Sequence, residues 1–214
     1  MNYKGVVFDL DGVITDTAKY HYLAWKKLAD ELNIYFDERI NERLKGVSRL
    51  ESLEIILERS DRHFTDGEKE YYANRKNEYY KEMIKGITPH DIPPGVSKLI
   101  DGLRVSGIKT AVASVSKNAY TVIDNLGIKD KFDYIVDAAK IKHGKPDPEI
   151  FINAAQGIKV DPSLCIGIED SKAGIEAIKR AGMLSVGVGN PQTVKEADVI
   201  LKDLGNPDDI LKLL

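Results

Sequence analysis

The chain has 214 residues, 43% hydrophobic and 30% charged, enough for one large domain or for a domain with a sizeable insert, and for a real core. Its net charge of −3 offers neither the basic footprint of a nucleic-acid binder nor a polybasic membrane patch, so an anionic ligand must be met by local positive groups. A single cysteine, Cys165, excludes an internal disulfide and fits a reducing compartment; in the apolar run LCIGI it reads as a small buried hydrophobe. Neither a signal-peptide pattern nor an apolar run of membrane-spanning length is visible, and the cytoplasm is the expected location.

The opening stretch 3–9 is predicted as a strand, apolar at Val6-Val7-Phe8. It runs into FDLDGVITDT, which puts Asp9 and Asp11 two residues apart and hence on one side of an extended chain. Residues 18–86 show only helical patterns. Ala24, Leu28 and Leu32 recur at i+4, SRLE (48–51) and TDGE (65–68) are capping-box signatures, and Gly46 is expected to end the helix carrying Ile40 and Leu44. This insert leaves near Thr17 and returns through the Pro- and Gly-rich GITPHDIPPG (86–95), which suits a pair of hinges.

From about residue 92, strands at 108–114, 132–137, 163–168, 184–189 and 197–201 alternate with helices. Ser116 is expected to cap the helix ending at Gly127, Ser171 the one ending at Gly182, and Asn206-Pro207 a last one. The predicted fold is α/β: a doubly wound parallel sheet, a Rossmann-like core of residues 1–16 and 92–214, with an inserted helical cap, 17–91.

Ligands of such sheets bind beyond the carboxyl ends of the strands. Asp9 and Asp11, Ser114, Lys145 and Glu169-Asp170 are all expected there. Unpaired, these carboxylates repel; two unit charges about 4 Å apart cost roughly 4 kcal/mol at an effective dielectric near 20. A divalent cation removes the difficulty, and hard carboxylate oxygens suit Mg²⁺. Any one of these acids alone reads as a solvated strand-end residue; the set in its strand-end positions points to a metal site.

FDLDGVITDT resembles the first motif of the haloacid dehalogenase superfamily of phosphotransferases, and Ser114, Lys145 and Glu169-Asp170 fall where its later motifs lie. The likeness covers essentially the whole chain and is nearest to the superfamily's β-phosphoglucomutase family, through LKGVSR (44–49), RKN (75–77), SKN (116–118) and IEDSKAGI (168–175). The resemblance implies interconversion of β-D-glucose 1-phosphate and glucose 6-phosphate, with glucose 1,6-bisphosphate as primer and intermediate. Asp9 would be the nucleophile that becomes an aspartyl phosphate, and Asp11 the general acid/base. Asp9, the backbone carbonyl of Asp11, and Asp170 would hold one Mg²⁺, with Glu169 in support. Ser114 and Lys145 would orient the transferring phosphoryl group.

The resemblance also implies substrate contacts at Lys45, Gly46, Val47 and Arg49 on the cap, and at Ser116, Lys117 and Asn118 on the core. Thr17, Ser52 and Trp25 complete the candidates, although Trp25 also reads as cap core. His21 and Lys76 would couple cap position to Asp11; as plain sequence they read equally well as polar residues of a helix surface. Departures from the family pattern are Gly144, where relatives tend to have serine, and Val115, which replaces a smaller residue. Partners are expected to be small sugar phosphates, not nucleic acid or membrane, with a monomeric protein. The alternatives are a Mg²⁺-dependent sugar-phosphate phosphatase of the same superfamily, a non-catalytic sugar-phosphate sensor and a dehalogenase. The intact Asp9/Asp11/Lys145 set argues against the sensor, and a metal site against the dehalogenase.

Overall fold

The computed structural model describes residues 3–44 and 46–214. Val6, Val7 and Phe8 are fully buried in β1 (Gly5–Phe8). The chain then leaves the sheet for α1 (Ala18–Glu31), the short α2 (Glu38–Asn41), α3 (Arg49–Leu57) and α4 (Asp66–Ile84). It returns as α5 (Val96–Val105) and alternates: β2 (Lys109–Val112), α6 (Ala119–Asn125), β3 (Tyr134–Ile135), α7 (Glu149–Gly157), β4 (Cys165–Glu169) and α8 (Lys172–Arg180). β5 (Leu184–Val188), β6 (Val199–Leu201) and α9 (Asp208–Leu211) finish it. No helix among the described residues is long and apolar enough to cross a membrane.

Every strand pairing is parallel, in the order β3-β2-β1-β4-β5-β6, so the sheet is doubly wound and Rossmann-like. Val6 and Phe8 pack on one face with Val112, Ile166 and Ile168; Val7 packs on the other with Ala111 and Ile178. Both faces are covered, which is why these strands read as nearly continuous apolar runs. The order reverses between β1 and β4, and a crevice opens there at the strands' carboxyl ends.

Helices α1 to α4 build a cluster of their own from Trp25, Leu28, Phe36, Ile40, Leu53, Ile56 and Ala73. Both expected capping boxes form, Ser48 with Glu51 and Thr65 with Glu68, each cap worth about 1 kcal/mol. The last turns of α4 differ: Tyr80 and Ile84 join the cluster on the sheet. α4 thus bridges two cores.

Several boundaries depart from expectation for local reasons. Ser116 does not cap α6, which starts at Ala119 after Asn118. The Ser116 N–H instead donates to Ser114 Oγ (3.1 Å) and the Asn118 N–H to Ser116 Oγ (3.3 Å), two hydroxyl turns that compete with helix. The helix expected to carry Ile40 and Leu44 tightens into a 3₁₀ turn at Glu42–Leu44, a common helix ending, before Gly46 takes a left-handed φ of 76°. Pro207, not Asn206, precedes α9; the Asn206 amide donates to Asp209 instead of accepting from the helix. β3 is a short edge strand because Asp133 turns back to accept from Lys109 and the Thr110 N–H.

Candidate active site

Asp9 follows β1 directly and Glu169 ends β4, the neighbouring strand, so their carboxylates meet at the crevice. Lys145, from the loop before α7, is buried between them, its Nζ 2.5 Å from Asp9 Oδ1 and 2.7 Å from Glu169 Oε2. Glu169 Oε1 accepts from the N–H groups of Asp170 and Ser171 and from the Ser171 hydroxyl. Carboxylate oxygens of Asp9, Glu169 and Asp170 all lie within 4.8 Å of one another. Two glycines make this approach possible. A Cβ at Gly12, whose φ is +87°, would stand 2.2 Å from Asp170 Oδ2, and one at Gly174 would stand 2.0 Å from the Glu169 carboxylate.

Charge is incompletely balanced here. Burial, and next the charge of Glu169, push the Asp9 carboxyl well above its usual range, against the pull of Lys145. Burial opposes ionisation of Glu169 too, but Lys145 and the Ser171 and Asp170 bonds outweigh it and hold the group below its usual value. Burial likewise works against the Lys145 ammonium, yet Asp9 and Glu169 together hold its pKa above the usual lysine value. One ammonium thus faces two carboxylates with a third, Asp170, beside them. A set of hard oxygens with residual negative charge fits a divalent cation such as Mg²⁺.

Asp11 stands outside that trio and faces the cavity, with a quarter of its side chain exposed there. Burial raises its carboxyl to about 6, Lys145 and Lys76 opposing. His21 Nε2 lies 3.9 Å from Asp11 Oδ2, and His21 Nδ1 lies 2.8 Å from Lys76 Nζ. Burial, then Lys76 and Arg49, push the His21 pKa well below its usual value, so the ring is neutral. Nδ1 therefore accepts from the Lys76 ammonium, which assigns the ring proton to Nε2, toward Asp11.

Lys76 is itself buried, 4.8 Å from the centroid of the Trp25 ring and 5.0 Å from that of Tyr80. Burial, with the charge of Arg49 second, brings its pKa down to about 7. The Arg49 guanidinium, also lowered by burial, donates to Asn74 Oδ1 at 3.4 Å. Among the described residues, neither Lys76 nor Arg49 forms an ion pair.

A cavity of about 360 Å³ separates these two sides. Asp9, Asp11, Glu169 and Asp170 form its floor; His21, Trp25, Arg49 and Lys76 form its roof. Gly46, Val47, Ser52, Ser116, Lys117 and Asn118 also line it. Thr17, Ser114 and Lys145 are buried behind the wall, and Lys45 lies outside the described residues. Trp25 serves both of its readings, being at once core and lining.

Sequence reasoning assigned no site role to Asn77, despite its place in RKN (75–77), to Tyr80, or to the wall formed by Ala138, Ile141 and Lys142. Helical spacing carries a signal for Tyr80, four residues on from Lys76, and through Tyr80 for Asn77, three residues before it, whereas the 138–142 wall carries none. Among the described residues, Asp11 Oδ1, Thr17 Oγ1, His21 Nε2 and Tyr80 Oη are buried without a hydrogen-bond partner, which marks a place completed by water or a polar ligand.

The model of the haloacid dehalogenase-like hydrolases matches residues 3–182. The chain belongs to that family. It is 48% identical to the β-phosphoglucomutase of Bacillus subtilis (strain 168) over 93% of this chain and 89% of that one. It is 31% identical to the fructose-1-phosphate phosphatase YqaB of Escherichia coli (strain K12), over 87% and 96%. The crystal structure of a β-phosphoglucomutase from Clostridium difficile superposes with a TM-score of 0.95 at 48% identity, covering 98% of this chain and 96% of that one. The family's fold thus accounts for both the sheet order and the meeting of the acids at its switch point.

Proposed function

We propose that this chain is a β-phosphoglucomutase, interconverting β-D-glucose 1-phosphate and D-glucose 6-phosphate. The observation that carries the reading is the opposition of an anionic floor, part-neutralised by Lys145, to a roof whose Lys76 and Arg49 make no ion pair among the described residues, across a cavity of about 360 Å³. A bisphosphate needs two anion sites, one beside the nucleophile and one for the phosphate that is not reacting. The two relatives named as mutases, each 48% identical, support the same assignment.

In this reading Asp9 carries the phosphoryl group as an aspartyl phosphate. The sugar's C6 hydroxyl gives its proton to Asp11 as its oxygen bonds to phosphorus and the Asp9–phosphorus bond breaks. The resulting β-glucose 1,6-bisphosphate turns around. Asp9 then attacks the phosphorus on C1, and Asp11 returns the proton to the departing sugar oxygen. A carboxyl brought to about 6 by burial is suited to both directions.

Lys145 and Ser114 orient the transferring group and balance its charge. Asp9, the Asp11 backbone carbonyl and Asp170 would hold Mg²⁺, with Glu169 behind them, and the bound ion would offset the repulsion between carboxylate and phosphate. Arg49, with Lys45, Gly46, Val47 and Ser52 from 17–91 and Ser116, Lys117 and Asn118 from the other side, holds the distal phosphate and sugar. Thr17, His21, Trp25 and Lys76 complete the closed site, and segment 17–91 acts as its cap, excluding water that would hydrolyse the aspartyl phosphate. The reading includes a cytoplasmic monomer acting on small sugar phosphates.

A sugar-phosphate phosphatase is the second reading, favoured by the 31% identity to a fructose-1-phosphate phosphatase. One assay separates the two: β-glucose 1-phosphate with Mg²⁺ and a trace of glucose 1,6-bisphosphate, following glucose 6-phosphate and free phosphate together. Glucose 6-phosphate should predominate and should vanish with a chelator; predominant free phosphate overturns the assignment.

A further inference from the structure

Helix α4 is tied to the α6 region by two hydrogen bonds. Asn118 Nδ2 donates to Asn77 Oδ1 at 2.8 Å, and Asn125 Nδ2 donates to the backbone carbonyl of Ile84 at 3.2 Å. The bonded positions are seven apart on each element, two helical turns, so the bonds are successive rungs between segments running the same way. They are not equivalent. The rear rung lies where α4 ends and Ile84 is packed into the cluster on the sheet. The front rung lies at the cavity, which both asparagines line, and it is buried, with Asn77 9% and Asn118 8% exposed.

Asn118 sits at the end of the hydroxyl turns from Ser114 through Ser116, the loop that delivers core-side groups to the cavity. Asn77 directly follows Lys76 on α4 and belongs to the same inward face as Ala73 and Tyr80. Its amide oxygen therefore does two things at once: it fixes which way the Asn118 amide points, and it joins the roof to the core side at the cavity end of the two rungs. We propose that Asn77 is a positioning residue, whose bond to Asn118 holds roof and floor together so that the phosphoryl group passes to sugar in preference to water. A roof that rocked about the rear rung would part first at Asn77 and admit water to the cavity there. The inference rests on the mutase reading and extends it to a residue that does not touch the reacting atoms.

The test uses the two-product assay on wild type, Asn77→Ala, Asn77→Leu, Asn118→Ala and the Asn77→Ala/Asn118→Ala pair, with thermal midpoints recorded for each. Leucine fills the asparagine's volume without its polar atoms, so it keeps the experiment informative should the alanine variant fold poorly. A lost buried hydrogen bond is expected to lower the ratio of glucose 6-phosphate to free phosphate about three- to tenfold. The loss should fall on turnover while free-phosphate release holds or rises, a shift of partition that general loosening of the fold would not produce. In the Asn118→Ala background the Asn77 change should have little further effect on the ratio. An unchanged ratio in the folded Asn77 variants, or a full loss added on top of Asn118→Ala, overturns the tether alone. A wild type that releases phosphate without glucose 6-phosphate overturns the mutase reading itself, and the wild-type arm reports that separately.

Discussion

The floor and the roof of the cavity solve the burial of charge in opposite ways. On the floor, Asp9 and Glu169 share one ammonium at 2.5 and 2.7 Å, and Glu169 is further held by two backbone N–H groups. On the roof, the Lys76 ammonium bonds to a neutral imidazole among aromatic faces, with the Asp11 carboxylate acting on it through space, and Arg49 bonds to an amide. The floor is a site already partly neutralised and rigidly bonded into two strands' ends. Among the described residues the roof's two cations form no ion pair, and they stand on helices that are not part of the sheet. Such a roof is destabilised until an anion arrives, which gives a charged ligand a reason to draw the two sides together.

The sharpest way to break the comparison is at the nucleophile. Asp9→Asn should cost about ten-thousandfold or more in both glucose 6-phosphate and free-phosphate formation; retained activity would rule out the covalent route. Next comes the floor's compensation. Lys145→Met leaves Asp9 and Glu169 buried together, and unfolding by denaturant without Mg²⁺ should show a loss of about 3–5 kcal/mol, narrowing when Mg²⁺ is added. A loss of only a few tenths would mean the floor tolerates its own repulsion. On the roof, Arg49→Ala should lower mutase turnover about a hundredfold while changing hydrolysis of a small aryl phosphate less than about threefold. Equal losses in the two assays would remove Arg49 from the distal phosphate.

The smallest effect is one of pH. Lys76 has a folded-state pKa of about 7, below the usual lysine value, so between those limits the unfolded chain binds a proton that the folded chain lacks. Stability therefore rises as pH increases from about 7 toward 10, by up to about 1.4 kcal/mol per pH unit from this residue. Thermal melts across that range should lose the rise in Lys76→Met. Inorganic phosphate that settles in the cavity should flatten the rise as well, by restoring the ammonium's preference for its charge. A slope indifferent to both would show that the roof's cation is not exposed to its ligand.

What could be read from the chain differs between the same two regions. The floor was legible because its groups sit at strand ends: Asp9, Glu169 and Asp170 each follow a short apolar run, and a parallel sheet brings such ends together whatever the loops do. The roof was legible only through resemblance, since His21, Arg49 and Lys76 occupy ordinary polar positions in helical sequence. Asn77 and Tyr80 were missed although Tyr80 shares the face of Lys76 and Asn77 that of Tyr80, because a polar or aromatic residue on a helix announces nothing until its neighbour is known. Ser116 misled because a serine before a helical run caps it unless, as here, a second hydroxyl two residues earlier captures the backbone first.

Local sequence alone determined the alternation of strands and helices, both capping boxes and the acids at the strand ends, since propensity, periodicity and side-chain-to-backbone bonds act over a few residues. Only the tertiary structure decided that α4 spans two hydrophobic clusters, that Lys145 lies between two carboxylates far from it in the chain, and that Asn77 meets Asn118. Those relations depend on which elements pack together, and the free energy that selects them comes from burying surfaces distant in sequence, which no short stretch of residues encodes.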